Sequence, residues 1–460
     1  MLILHVTLGL PPYRTGGLTK YSVDLMTEQV KQGNQVALLY PGNFIIPYDT
    51  EIKHNKNFEN IKVFEIINPL PVPLLNGIKN PNQFMKKGNK DVYLSFFRKM
   101  KPDIIHMHTL MGIHKEFLEA AKDIGIKLVF TSHDYFGICP KVNLIDSEGK
   151  ICKEYQDGEG CIACNEIGLS LPVIMLMQSS PYRFLKDSII VKKIRQYKKG
   201  TIELVEKPNN KKEITSNTPA TDYVKLREFY IEMFELIDEF HFNSSIAKDV
   251  YQKYIGDNKG KVISISHSSI KDNRSKKEYP SNRPLQLAYL GPLDNYKGFN
   301  FMLSALEILR EDNCLNWHLN LYGDSRELKS LDPEFYTFNG RYKYNELENI
   351  FKNTDLLIVP SMWKETFGFI GLEALSYGIP TLVSDNVGYK DIIEDGKTGI
   401  VFRSDSDKDF IKKIKSLVNK RETLMTIQEN ILKMNFSNTM TNHTREILSF
   451  YNQVKIGVEN

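Results

Sequence analysis

The chain reads as α/β, two Rossmann-like halves each built on a mostly parallel sheet. Three observations predict this class. Short apolar runs suited to buried strands alternate with stretches that carry apolar residues at helical spacing. That rhythm occurs twice, on either side of the polar segment Ser268 to Pro284, which contains Lys276, Lys277 and two prolines and reads as an interdomain linker. At 460 residues and 41% hydrophobic content, the chain can bury two cores and exceeds what one core usually serves.

The first half, 1–267, opens on Leu2 to Val6, which lacks the positive start and cleavage site of a signal peptide and reads as a strand. A Gly/Pro loop follows, with Pro11, Pro12, Gly16 and Gly17. Leu18, Tyr21, Leu25 and Met26 then share one helical face, and Gln35 to Tyr40 is the next strand. Asp103 to His106 and Lys127 to Thr131 are further strands around a helix through Phe117 and Ala121. A cysteine-bearing loop occupies about 139–164. From about 169 to 223 the rhythm breaks into an apolar patch, a basic run and the polar stretch Lys207 to Asn217, read as an insertion. Phe229 to Phe242 is a helix running into a strand, and Val262 to Ser266 is the last strand of this half. The second half, 285–440, begins with the strand Leu285 to Leu290. Met302, Leu303, Leu306 and Leu309 mark a helix, and His318 to Tyr322 a strand. Leu356 to Val359 is a buried strand ended by Pro360. Phe369 to Tyr377 is a helix closed by Gly378 and Pro380, and Thr381 to Ser384 starts the next strand. A last helix lies around Asn442 to Val454, within 441–460.

A net charge of +4 gives no electrostatic footprint for nucleic acid. No apolar run approaches the roughly 18 residues a membrane-spanning helix needs, so a cytoplasmic location is expected.

The chemistry concentrates in Ser361-Met-Trp-Lys-Glu-Thr-Phe-Gly-Phe-Ile-Gly-Leu-Glu-Ala-Leu. Glu365 falls in a loop after a strand and Glu373 about one turn into the following helix. The crevice beyond the carboxyl ends of parallel strands is where ligands bind, and a helix N-terminus offers free N–H groups to an anion. Carboxylates accept several hydroxyl hydrogen bonds, as sugars require, and Gly368 lets the backbone approach closely. Alone, such a pair reads as solvated loop and helix charge, since such spacings arise often by chance.

The longer stretch Pro360-Ser-x3-Glu-Thr-Phe-Gly-x4-Glu-Ala-Leu-x2-Gly-Ile-Pro, continuing to Gly388, Asp395-Gly396 and Gly399, resembles the signature of family-4 retaining glycosyltransferases. The resemblance extends over most of the chain. It implies the GT-B fold, two Rossmann-like domains facing across a cleft, with the acceptor on the first, the nucleotide on the second, and the C-terminal helix crossing back to the first. It further implies that Glu365 holds donor-sugar hydroxyls and Glu373 the ribose. Lys297, in Gly291-Pro-Leu-Asp-Asn-Tyr-Lys-Gly, would face the diphosphate, and Phe367 with Gly368 the sugar–phosphate region through backbone contacts. Gly16 and Gly17 resemble the family's glycine loop near donor and acceptor. His133, in Phe130-Thr-Ser-His-Asp-Tyr-Phe, matches a histidine beside the transferring sugar. Where many relatives place an arginine, Pro292 stands, so diphosphate binding leans on Lys297, helix N–H groups or another cation, for which Arg341 is only a guess. His106 and His108 share one face if their strand continues, and neither is assigned a role.

The implied activity is retaining transfer from a nucleoside-diphosphate sugar to a glycan or lipid-linked acceptor in cell-surface polysaccharide synthesis, by front-face departure and attack. A phosphorylase or sugar-nucleotide epimerase on the same scaffold is the alternative, and a non-enzymatic zinc-module binding protein a more distant one. No obligatory catalytic metal is expected. Asp405-Ser-Asp407 looks like a metal-binding D-x-D but precedes a helix at Lys408 to Leu417, where an Asp N-cap explains it. Cys139, Cys152, Cys161 and Cys164 are the second concentrated signal. In a cytoplasmic protein their clustering suits a structural zinc ion, with reduced packing thiols or disulfides as the other readings. Finally, Leu169-Ser-Leu-Pro-Val-Ile-Met-Leu-Met, followed by Arg183, Lys186 and the basic run Lys192 to Lys199, suits peripheral contact with an anionic membrane on its inner face. A buried helix beside solvated charge fits the same residues.

Overall fold

The computed structural model describes residues 1–47, 49–74, 77–186, 188, 218–257, 259–324 and 331–457. Eight strands form the first sheet: β1 (Leu2–Val6), β2 (Gln35–Pro41), β3 (Glu51–Phe58), β4 (Ile61–Ile67), β5 (Ile104–Met107), β6 (Lys127–Thr131), β7 (Glu239–Phe242) and β8 (Gly260–Val262). Their spatial order is β3-β4-β2-β1-β5-β6-β7-β8. Six strands form the second: β9 (Leu285–Leu290), β10 (Trp317–Tyr322), β11 (Tyr336–Phe338), β12 (Leu356–Val359), β13 (Thr381–Ser384) and β14 (Ile400–Phe402), in the order β11-β10-β9-β12-β13-β14. All pairings are parallel except β3 with β4. Strands covered by helices on both faces must be apolar throughout, which is why runs such as Leu356–Val359 are legible and fully buried.

The described helices are α1 (Gly17–Lys31), α2 (Lys90–Met100), α3 (Lys115–Asp123), α4 (Glu159–Asn165), α5 (Leu171–Gln178), α6 (Ser180–Leu185), α7 (Ala220–Glu235), α8 (Ser245–Ile255), α9 (Phe299–Glu311), α10 (Leu347–Lys352), α11 (Phe369–Ser376), α12 (Asp407–Asn419), α13 (Glu422–Lys433) and α14 (Met440–Ile456). The last strand of the first half differs from expectation. It is Gly260–Val262, while Ile263 to His267 run on outside any strand. Ile263 still donates to Phe242 O at 2.9 Å, but the sheet ends there because its carbonyl is taken by the His241 ring, at 2.7 Å, rather than by another strand. β3 and β4 lie in a stretch where the sequence reading placed no strand. β3 is an exposed antiparallel edge rich in Lys, Asn and Glu, so it carries no buried run to detect. Helix α7 begins at Ala220, inside the stretch read as an insertion. The basic run Lys192 to Lys199 and the polar stretch Lys207 to Asn217 lie outside the described residues.

The segment joining the halves is tied down at its end. Asp355, fully buried at the start of β12, receives Arg283 Nη2 at 3.0 Å and lies 3.4 Å from Lys277 Nζ. Removing one partner of such a buried cluster leaves an uncompensated charge, at a cost of about 3–5 kcal/mol. Helix α14, capped by Thr439, leaves the second lobe and packs on α1 of the first. Tyr21 OH meets His443 Nε2 at 2.8 Å, Gln29 Nε2 donates to Tyr451 OH at 3.3 Å, and Thr441 Oγ1 donates to Glu28 at 2.8 Å.

Candidate active site

Between β12 and α11 the chain makes a loop held by its own backbone. Glu365 N donates to Asn386 O at 2.8 Å and Gly388 N donates to Glu365 O at 3.0 Å, which fixes where the Glu365 side chain leaves the loop. Two glycines are required here. Gly298 sits at φ +78°, and a Cβ on it would lie 1.8 Å from Pro360 O; Gly368, at φ +92°, would place one 2.7 Å from Val387. Gly368 caps α11 without any side-chain bond, leaving the first N–H groups of that helix open. Phe367 is buried beneath them.

Lys297 Nζ lies 2.8 Å from Glu365 Oε1, and the Ser361 hydroxyl donates to Oε2. Burial by itself pushes the Glu365 carboxyl up. The Lys297 charge, its hydrogen bond and that of Ser361 outweigh burial and hold the group below the usual carboxylate range. The ammonium also lies 5.0 Å from the centre of the Trp363 ring. Lys297 and Glu365, assigned by the resemblance to different parts of a donor, are thus brought into one ion pair.

Glu373, on α11, is buried and accepts from or pairs with His267 Nε2 at 3.1 Å. Nothing in the spacing of the sequence pointed to His267, which lies at the end of the irregular segment after β8. Its Nδ1 is buried without a hydrogen-bond partner, and its ring stands edge-on to Phe369 and Tyr344. The Tyr342 and Tyr344 phenols are pushed up by burial first and by the Glu373 charge second.

The first lobe grips the same loop. Thr366 Oγ1 donates to His133 O at 2.9 Å, Tyr135 OH to Lys364 O at 2.7 Å, and Ser244 Oγ to Thr366 O at 2.6 Å. Glu365 is therefore flanked on both sides by residues bonded across the interlobe seam. Gly16, at φ +109°, caps α1, and a Cβ on Gly17 would touch the Phe369 ring at 3.6 Å, so the glycine loop faces the start of α11. The His133 ring stacks on His108, with Nε2 3.1 Å from His108 Nδ1, and burial lowers its pKa to about 3. Tyr135, Ser244, Thr366 and Ser361 carry no motif of their own and were not singled out from the sequence.

Two family models match the chain, "Glycosyltransferase Family 4" over residues 15–149 and "Glycosyl transferases group 1" over residues 270–434. The chain belongs to the family-4 glycosyltransferases. Its fold is GT-B. A protein of the Klebsiella pneumoniae cps region is 27% identical over 119 residues, 25% of this chain and 32% of that protein. A sulfoquinovosyl transferase of Arabidopsis thaliana is 30% identical over 128 residues, 26% of this chain and 25% of that one. These matches thus span about a third of the relatives' length or less. Among solved structures, an Anabaena protein in complex with UDP and glucose superposes with a TM-score of 0.53 at 13% identity, covering 98% of this chain and 99% of that one.

Other expected positions in this family-4 glycosyltransferase resolve differently. Pro292 contributes only its carbonyl, which accepts from Tyr289 OH at 2.6 Å, and Arg341 is exposed. The helix after Asp405 is capped by Ser406, which accepts from Asp409 N at 3.2 Å, so an aspartate is not the cap. Asp407 begins that helix as a first-turn charge, and Asp405 points to Arg403 at 3.6 Å. Among the described residues, three potential metal-ligand atoms lie within 4.8 Å of one another only at His5, His106 and His108. The sulfurs of Cys139, Cys152, Cys161 and Cys164 are not gathered in that way, and no disulfide joins them. Burial pushes the Cys161 thiol up to about 12 and Cys164 to about 11, against a lowering by the nearby Arg227 charge at Cys161 and by Lys141 at Cys164. Arg227, stacked 3.6 Å from the Tyr155 ring centre, already places a cation beside the thiols. Cys139, Cys164 and Cys152 each raise Cys161 further by their own charge, so the four thiols lie close together although no three of their sulfurs come within 4.8 Å of one another. No described helix is long and apolar enough to cross a membrane. Leu176 of α5 and Phe184 and Leu185 of α6 are exposed, and Lys186 donates to Tyr13 O at 3.0 Å, which seats these helices against the Gly/Pro loop.

Proposed function

We propose that this chain transfers a sugar, with retention, from a nucleoside diphosphate to a glycan or lipid-linked acceptor during cell-surface polysaccharide synthesis at the cytoplasmic side of the membrane. The observation that carries the reading is the Lys297–Glu365 pair, 2.8 Å apart in a loop held from both lobes. A carboxylate kept ionised there accepts donor-sugar hydroxyls. A lysine on its flank is a point charge available to the departing diphosphate, aided by the open N–H groups of α11. Glu373, steadied by His267, has a second oxygen for ribose hydroxyls. In front-face transfer the leaving phosphate takes the acceptor proton, and the site's task is to position and to stabilise charge. The cps-region location of the Klebsiella relative and the UDP and glucose in the Anabaena structure support this substrate class. The exposed apolar residues of α5 and α6 beside the Gly/Pro loop suit a lipid-linked acceptor.

Thermal-shift measurements against UDP-, GDP- and ADP-sugars test the reading. A true donor at one hundred times its Kd stabilises the folded state by about 2.7 kcal/mol. If none of the panel raises the melting temperature, the reading fails.

A further inference from the structure

Five histidines line up at the carboxyl ends of neighbouring strands of the first sheet: His5 on β1, His106 on β5, His108 just beyond it, His133 beyond β6 and His241 on β7. Register explains why they meet. His5 pairs with His106, and Thr131 with His241, across adjacent parallel strands. His5, His106 and His108 could be taken for a metal site, but both nitrogens of each ring already have hydrogen-bond partners in the protein. Burial lowers His5 and His241 to about 4 and His133 to about 3, and puts His106 and His108 well below their ordinary value, so all five rings are neutral at pH 7.

A neutral ring carries one proton, and that makes the bonds directional. His241 Nε2 faces Ile263 O at 2.7 Å and must donate. Its Nδ1 is then bare and accepts the Thr131 hydroxyl at 2.8 Å. Thr131 has spent its only proton, so His106 Nε2 donates to it at 2.6 Å. His106 Nδ1 accepts from Tyr451 OH at 2.5 Å, and the Tyr451 oxygen accepts from Gln29 Nε2 at 3.3 Å. Gln29 Oε1 therefore faces His5 Nε2–H at 2.7 Å. The same logic carries His108 Nε2–H to His5 Nδ1 at 2.9 Å and His133 Nε2–H to His108 Nδ1 at 3.1 Å.

We propose that this one-way chain, anchored on the Ile263 carbonyl and closed by Tyr451 of the crossing helix α14, fixes His133 as its Nε2–H tautomer and so leaves its Nδ1 bare, a hydrogen-bond acceptor on the residue whose carbonyl takes Thr366 Oγ1 across the interlobe seam. Gln29, Thr131, Tyr451 and the other histidines are positioning residues. Under the proposed function, on which only this last step rests, the acceptor receives a hydroxyl of the transferring sugar. The far end matters because Tyr451 supplies the polarity. Without its hydroxyl, Gln29 can turn over, and the segment Gln29, His5, His108, His133 can run in either direction.

Nitrogen-15 spectra of histidine-labelled full-length protein report the tautomer directly. The expected result is a single Nε2–H form of His133 in the wild type and both forms in Tyr451→Phe, with kcat falling in proportion to the Nε2–H fraction lost. Tyr21→Phe removes another buried hydroxyl bonded to α14 but off the chain, and keeps the wild-type tautomer and rate. A His133 protonated on Nδ1 in the wild type overturns the proposal, as does a Tyr451→Phe protein, folded by circular dichroism, with an unchanged tautomer. Tautomers as expected in a protein that no nucleotide sugar stabilises leave the chain standing and remove the proposed function.

Discussion

Two clusters of buried polar groups, the histidines of the first lobe and the ion pairs of the second, are held by opposite means. The first lobe gathers neutral imidazoles, each satisfied by the next, with no charge among them. The second lobe pairs acids with bases, Glu365 with Lys297 at 2.8 Å and Asp355 with Arg283 and Lys277. A neutral chain orients without attracting ions, whereas a charged pair creates a field. A reaction that expels a diphosphate needs the field on the side where the diphosphate departs and fixed geometry on the side where the acceptor approaches. The asymmetry of the two lobes matches that division of labour.

The severest way to break the comparison is to remove the charged side. Glu365→Ala deletes the proposed acceptor for sugar hydroxyls and frees Lys297 from its ion-pair partner, while the loop stays held by Thr366, Lys364 and Ser244 backbone and hydroxyl bonds. Transfer should fall by at least about a thousandfold in kcat/KM, roughly 4 kcal/mol of lost transition-state stabilisation. Circular dichroism should be unchanged. Near-normal turnover would show that the pair is structural.

Acid separates the two sides more gently. In the unfolded chain these histidines take up protons as the pH falls below their ordinary 6.5, while folded His5 and His241 resist until about 4 and His133 until about 3. Their folded values are depressed, so the unfolded state binds more protons in this window. Stability is fully present above pH 6.5 and lost as the pH falls toward 4. Each such histidine contributes a slope of about 1.4 kcal/mol per pH unit, and several act together. Glu365 is also depressed, but from an ordinary 4.5, so what it contributes persists until more acid conditions. Hydrogen exchange at pH 5 should therefore show amides of β1, β5 and β7 losing protection before those of β9 and β12. Equal loss in both sheets would mean that the histidine cluster is not the acid-sensitive element.

The sequence showed the second-lobe side better than the first. Glu365, Gly368 and Glu373 occupy one contiguous strand, loop and helix, so their placement follows from local pattern. The histidine chain is assembled from strands that are distant in sequence, and only the resemblance pointed to His133. A signal was present nonetheless. His5 in Leu2-Ile-Leu-His-Val and His241 in Phe240-His-Phe each interrupt an otherwise apolar strand, and a polar residue buried there must find a partner. The contact between His267 and Glu373 spans 106 positions and depends on how the segment after β8 swings to the second lobe, which no spacing encodes. β3 escaped because an exposed polar edge strand has no core face to reveal it, whereas β4 buries Ile61, Val63, Ile66 and Ile67 and was passed over although its pattern carries a core face.

The smallest expected effect concerns metals, and it tests whether the charged side is sufficient by itself. Lys297 places a cation beside Glu365, and Arg227 places one beside the cysteines. Zinc at Cys139, Cys152, Cys161 and Cys164 would have to draw the four sulfurs into a tighter array than they hold and expel protons from thiols that burial has raised. Each step weakens binding, because the ion selects deprotonated thiolates in tetrahedral array. Purified protein should accordingly contain less than about half a zinc per chain, and transfer in a short assay should survive EDTA. A stoichiometric zinc content would show that the cysteine loop closes around an ion. Loss of transfer restored by magnesium would show instead that the Lys297 side needs a divalent partner, and the division between a charged lobe and a neutral one would have to include that metal.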